Sequence, residues 1–156
     1  MTPPSGLDSP IMSDSVPTSF PAEVTIPSDL EEARRLQTAI EEQLLSGTRF
    51  TESEIFAIKL ALEEALVNAI KHGNQMDRSK KVTVAYRVDS DRFDIKIIDE
   101  GPGFDPEDVP DPTAPENLER TCGRGLLLMR HYMNLIEYIS PGNTVVMSKW
   151  SKNGTP

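Results

Sequence analysis

The chain has 156 residues, 37% hydrophobic and 26% charged, which suits a globular protein with one core and is too short for two ordinary domains. No run approaches the roughly 18 apolar residues of a membrane-spanning helix, and a single cysteine, Cys122, excludes an internal disulfide. Twenty-five acidic against 16 basic residues give a net charge of -9 with no local basic patch, which speaks against nucleic acid as a partner.

The opening MTPPSGLDSPIMSDSVPTSF has neither the basic start nor the apolar stretch of a secretory signal, so a cytoplasmic location is expected. Residues 1–19 are rich in Pro, Ser, Thr, Gly and Asp and are expected to form a disordered tail, because they cannot bury enough surface to offset their ordering entropy. Residues 20–151 then form one domain, and 152–156 a short C-terminal tail. Val24 and Ile26 suggest a first strand. Ser28 is the expected N-cap of a helix from about Asp29 to Leu45, with acidic residues in its first turn and Ser46 and Gly47 at its end. Thr51 caps a second helix in a capping-box spacing with Glu54; it runs to about His72, where Gly73 and Asn74 stop it.

KVTVAYRV (81–88) and RFDIKIID (92–99) alternate with period two around the turn residues Asp89, Ser90 and Asp91, and read as a β-hairpin. Residues 100–125 are broken by prolines and acids, and a structureless loop of that length in a compact domain is usually functional or wrongly assigned. GLLLMRHYMN resumes as a helix, and LIEYIS with TVVMSKW forms a last hairpin. The order predicts an α+β two-layer sandwich: a mixed, mainly antiparallel sheet covered on one face by helices.

Three segments carry chemistry. In ALEEALVNAIKHGN, Ile55, Leu62, Leu66, Ala69 and Ile70 share a core face, while Glu64 and Asn68 lie opposite, one turn apart. Ala57, Leu60 and Ala61 precede them on that side, so the helix reads as covered on both sides. A solvated glutamate and an asparagine near a fraying end is the simpler account of that pair alone. In IIDEGPGFD, Asp99 ends a strand and is followed by Gly101 and Gly103, which lets a ligand approach the backbone; an ordinary Asp-Gly turn is the alternative. In CGRGLLLMR, Gly123 and Gly125 open an apolar helix, where free N–H groups suit a phosphate; a glycine hinge is the alternative.

The ordered set, ExxxNAxKHG on a helix, DxGxG after a strand and GxG before a helix, resembles the GHKL ATPase superfamily with its Bergerat ATP-binding fold. It is most similar to the anti-sigma-factor serine kinase branch. The resemblance covers about residues 20–151 and implies ATP and Mg²⁺ as ligands. Glu64 would be the general base and Asn68 the Mg²⁺ ligand. Asp99 would accept a hydrogen bond from the adenine amino group, beside Gly101 and Gly103. Residues 104–122 would be the lid over the nucleotide, and Gly123, Arg124 and Gly125 would cradle the phosphates.

Lys71 and His72 are weaker candidates near the same helix end, as are Arg120 and Arg124 for phosphate charge; His131 and Cys122 carry no assigned role. Glu63, next to Glu64, projects about 100° away and is the rival base. The resemblance further implies a serine protein kinase and anti-sigma factor. Such a protein sequesters a sigma factor, phosphorylates an antagonist protein on serine, and forms a homodimer. The competing reading is a nucleotide-dependent regulatory binding module of the same fold with little or no kinase activity.

Overall fold

The structure, a computed structural model, describes residues 17, 19–102, 132–139 and 143–152. Five strands and two long helices fall within them: β1 (Ala22–Pro27), α1 (Leu30–Gly47), α2 (Glu52–Val67), β2 (Lys81–Asp89), β3 (Arg92–Ile98), β4 (Leu135–Ile139) and β5 (Thr144–Trp150). The strands make one sheet in the order β1-β2-β3-β5-β4, and all four pairings among the described residues are antiparallel. This is the expected α+β architecture, with both hairpins where the alternation places them.

Period-two alternation divides the sheet into two faces. Val84 pairs with Ile97 and Tyr86 with Ile95, while Ile95 and Ile97 pair onward with Met147 and Val145; all are buried in the core beneath the helices. Helix α1 lays Ala33, Leu36, Ile40 and Leu44 into that core. On the other face Arg92, Asp94 and Ser148 are buried together. The Asp94 Oδ1 accepts from Arg92 Nε at 2.9 Å and from Ser148 Oγ at 2.5 Å, and the Arg92 guanidinium lies 5.2 Å from the centre of the Trp150 ring. Phe20 reaches this face too, its ring 5.6 Å from Lys96 Nζ.

The capping box of α2 is present as read: Glu54 N–H donates to Thr51 Oγ1 at 3.1 Å, and Thr51 N–H donates to Glu54 Oε1 at 2.8 Å. The second carboxylate oxygen of Glu54 accepts from Lys152 N–H at 3.0 Å, which ties the residue after β5 to the start of α2. The cap of α1 is Asp29, not Ser28: the Asp29 carboxylate accepts the Glu31 N–H at 2.8 Å. Ser28 is instead buried, its hydroxyl donating to the Lys80 carbonyl at 2.8 Å. With a neighbouring carboxylate free to cap, the smaller side chain goes inward.

The disordered-tail expectation for residues 1–19 rests almost entirely on residues outside those described. So do the lid at 104–122, most of the helix GLLLMRHYMN, and Gly103, Arg120, Cys122, Gly123, Arg124, Gly125 and His131.

Candidate functional site

Helix α2 is buried on more than one side: Ile55, Ile58, Leu62, Ala65 and Leu66 on one, Ala57 and Ala61 towards the side of Glu64. That is the double covering read from the sequence. It leaves Glu64 half-buried and Glu63 exposed, so only one of the two adjacent carboxylates is withdrawn from water. Burial raises the Glu64 pKa above its ordinary value, and the negative charge of Glu63 raises it further.

At Asn68 the helix changes pitch. Residues Asn68–Gly73 form a π-helical turn, closed by Asn74 N–H donating to the Ala69 carbonyl at 2.8 Å. Such turns arise where the backbone must carry one extra residue, and they recur at functional sites. The Asn68 N–H is shared between the carbonyls of Glu64 and Ala65, while its side-chain Oδ1 is buried with no hydrogen-bond partner among the described residues. A buried amide oxygen left so is costly unless something else supplies the partner. Lys71 and His72 are exposed on this turn.

The turn ends against Asp99. A Cβ on Gly73 would lie 2.6 Å from Asp99 Oδ1, and one on Gly101 would lie 2.6 Å from the Gly73 carbonyl carbon, closer than any real side chain tolerates. The two glycines therefore let the end of the α2 turn and the chain leaving β3 meet backbone to backbone. At Gly101 the close approach that the sequence suggested is made by Gly73. Asp99 is held from several directions: its Oδ1 accepts the Gly101 N–H at 2.7 Å, its N–H donates to the Asn143 carbonyl at 3.0 Å, and its own carbonyl accepts from Asn143 Nδ2 at 2.9 Å. Burial raises its pKa, with the Gly101 N–H opposing.

Residue Asn74 is completely buried. Its Nδ2 donates to Ser28 Oγ at 2.9 Å and to the Lys81 carbonyl at 3.0 Å, and its Oδ1 accepts the Glu100 N–H at 2.7 Å. The sequence offered Asn74 only as a stop signal. Nothing in HGN separates a solvent-facing helix terminator from a buried crosslink, though the left-handed backbone at Gln75 (φ 54) and Met76 (φ 62) shows how tightly the chain turns after it. A groove of about 310 Å³ between α1 and α2, bordered by Gln37, Lys59 and Glu63, includes none of Glu64, Asn68 or Asp99 and is a separate feature.

Residues 26–149 match the histidine kinase-like ATPase domain. This chain belongs to the histidine kinase-like ATPase family, in its RsbW-like branch. It is 32% identical over 114 residues to the serine-protein kinase RsbW of Bacillus licheniformis, covering 69% of this chain and 71% of that one. It is 30% identical over 114 residues to the serine-protein kinase RsbW of Listeria innocua, covering 69% and 73%. For the serine-protein kinase RsbW of Bacillus subtilis the figures are 31% over 108 residues, covering 65% and 68%. Membership in an ATPase family makes ATP the ligand to fit against Glu64, Asn68 and Asp99. Among the described residues no helix is long and apolar enough to cross a membrane.

Proposed function

We propose that the chain is an ATP-dependent serine protein kinase and anti-sigma factor that phosphorylates an antagonist protein on serine and sequesters a sigma factor. The observation that carries this reading is the junction of the two motifs. Gly73, the last residue of the turn that begins at Asn68, abuts Asp99 and Gly101, so the helix that carries the proposed base Glu64 and the proposed metal ligand Asn68 runs up to the proposed adenine acceptor Asp99. The relatives named as serine-protein kinases support the choice of acceptor.

Each residue has chemistry to match. The orphaned Asn68 Oδ1 is a neutral hard oxygen of the kind Mg²⁺ takes alongside water and phosphate oxygens, so Asn68 would hold the ion. Mg²⁺, when bound, neutralises charge on the triphosphate. Asp99, ionised, accepts the exocyclic N–H of adenine. Glu64 takes the proton from the serine hydroxyl as its oxygen bonds to the γ-phosphorus and the bond to the β,γ-bridging oxygen breaks, releasing ADP. Its raised pKa makes Glu64 a stronger base than an exposed carboxylate, as the task demands.

Gly103, Gly123, Arg124 and Gly125 complete the proposal as backbone and charge partners of the ribose and phosphates. We place the site within one kinase domain at residues 20–151 and the protein in the cytoplasm as a homodimer. Incubation with γ-labelled ATP, Mg²⁺ and a purified antagonist protein tests the proposal. Label on serine supports it; tight nucleotide binding with no label supports the regulatory binding module instead.

A further inference from the structure

Asn74 has every polar atom of its side chain engaged, and its two ends face chemically opposite partners. The oxygen meets an N–H donor, Glu100, while the NH₂ meets a carbonyl, Lys81, and a hydroxyl, Ser28. That set fixes the orientation of the amide and leaves no room for a flip. It also spans three elements: Ser28 follows β1, Lys81 begins β2, and Glu100 is the first residue past Asp99. The backbone of Asn74 closes the π turn through Ala69 at 2.8 Å. One buried residue therefore joins the turn that starts at Asn68 to the peptide that leaves Asp99.

We propose that Asn74 is a positioning residue that sets the purine preference of the nucleotide site by fixing the Asp99 carboxylate. This rests on the reading of Asp99 as the adenine acceptor. The Gly101 N–H aims Asp99 Oδ1 only if the chain at Glu100 is held, since Gly101 reaches that oxygen across a two-residue turn. The Glu100 N–H is anchored by Asn74 Oδ1 at 2.7 Å. Asn143 holds the Asp99 backbone, and the Lys81 N–H reaches the exposed Glu100 carboxylate at 3.1 Å. Losing Asn74 removes the one buried anchor on the Glu100 peptide among the described residues, and loosens the carboxylate from the place where it accepts from an amine and repels a carbonyl. Discrimination between adenine and guanine depends on that placement, because a displaced carboxylate leaves neither base with a well-aligned partner.

The test compares the affinities of ATP and GTP in the unmodified protein, Asn74→Ala, Ser28→Ala and Asp99→Asn, with thermal stability measured in parallel. Ser28→Ala removes a partner of the same amide but leaves the Glu100 contact. Asn74→Ala should reduce the ATP-to-GTP affinity ratio on the order of tenfold, equivalent to losing about one well-placed hydrogen bond. Ser28→Ala should lower stability and leave the ratio unchanged.

An unchanged ratio in Asn74→Ala, or an equal fall in Ser28→Ala, overturns the assignment while the Asp99 reading stands, provided Asp99→Asn abolishes the preference. Equal binding of ATP and GTP by the unmodified protein overturns the Asp99 reading itself, and this assignment with it. If Asn74→Ala does not fold, nuclear magnetic resonance of the unmodified protein decides. The Asn74 side-chain amide and the Glu100 N–H should shift with ATP and not with inorganic tripolyphosphate; no ATP-specific shift contradicts the assignment.

Discussion

Asp99 lies against the space that the missing side chain of Gly73 leaves open: a methyl group there would sit 2.6 Å from Asp99 Oδ1. Gly73→Ala should therefore displace the carboxylate and weaken ATP binding while the fold survives. Gly101→Ala meets the backbone of Gly73 rather than a side chain. Backbone cannot rotate aside, so this variant should cost the larger share of stability, about 1–3 kcal/mol. Denaturant melts of the two variants, compared with their ATP affinities, check both statements. A Gly73→Ala protein with unaltered ATP affinity would disconnect the helix end from the nucleotide.

Glu63 and Glu64 are neighbours with different surroundings, one exposed and one half-buried. Glu64→Ala should abolish serine phosphorylation and spare nucleotide affinity, since a general base acts in the transition state and not as a ground-state anchor. Glu63→Gln should keep activity. It should also move the rising limb of the rate profile to lower pH, because the charge of Glu63 helps to raise the Glu64 pKa. Transfer rates against pH for the three proteins suffice. A null Glu63→Gln and an active Glu64→Ala would exchange the two assignments.

Asn68 makes a different prediction. With its Oδ1 buried and without a partner among the described residues, Asn68→Ala should lower the affinity for ATP in the presence of Mg²⁺ by at least about tenfold, while affinity in excess chelator changes little. Calorimetric titration with and without the ion measures both. An equal loss in the two conditions would make Asn68 a structural residue of the π turn and not a metal ligand.

The free protein should also lose stability as pH rises through the titration of Glu64 and Asp99. Burial raises both pKa values from the ordinary 4.5 and 3.8, so the folded chain binds more protons than the unfolded chain between those values and the raised ones. The slope of unfolding free energy against pH is therefore negative in that window. Their contribution is fully favourable below the unfolded values and is lost above the folded ones. Glu64→Gln and Asp99→Asn should each flatten the slope and stabilise the nucleotide-free protein at neutral pH. Urea melts at stepped pH, rising from the ordinary Asp99 value of 3.8, check the sign.

Much of this fold is written in local patterns. Alternation in KVTVAYRV and RFDIKIID sets both strands and their shared core face, because a one-residue slip would turn Phe93, Ile95 and Ile97 out of the core. Thr51 and Glu54 announce the start of α2 in their own side chains. The pairing of Glu64 with a covered helix side was legible because Ala57 and Ala61 stand where charges would otherwise be.

Four things were not legible. The choice between Ser28 and Asp29 as a cap depended on Lys80, 52 residues away, which takes the serine hydroxyl. The π turn leaves no mark on the apolar pattern, since Ala69 and Ile70, read as core residues of an α-helix, are buried in the π turn as well. Asn74 owes its importance to partners at positions 28, 81 and 100. Likewise the buried Arg92, Asp94 and Ser148 cluster exists only because β5 pairs with β3 in the register that sets Ser148 opposite Asp94, 54 residues away.

The most direct test of one shared site is a crystal structure of the protein with Mg²⁺ and a non-hydrolysable ATP analogue. The account predicts the adenine amino group within hydrogen-bond distance of Asp99, the ion on Asn68 Oδ1, and Glu64 facing the γ-phosphate with no ligand of its own. A nucleotide seated in the groove between α1 and α2, or bound with Asn68 and Asp99 both untouched, would contradict it.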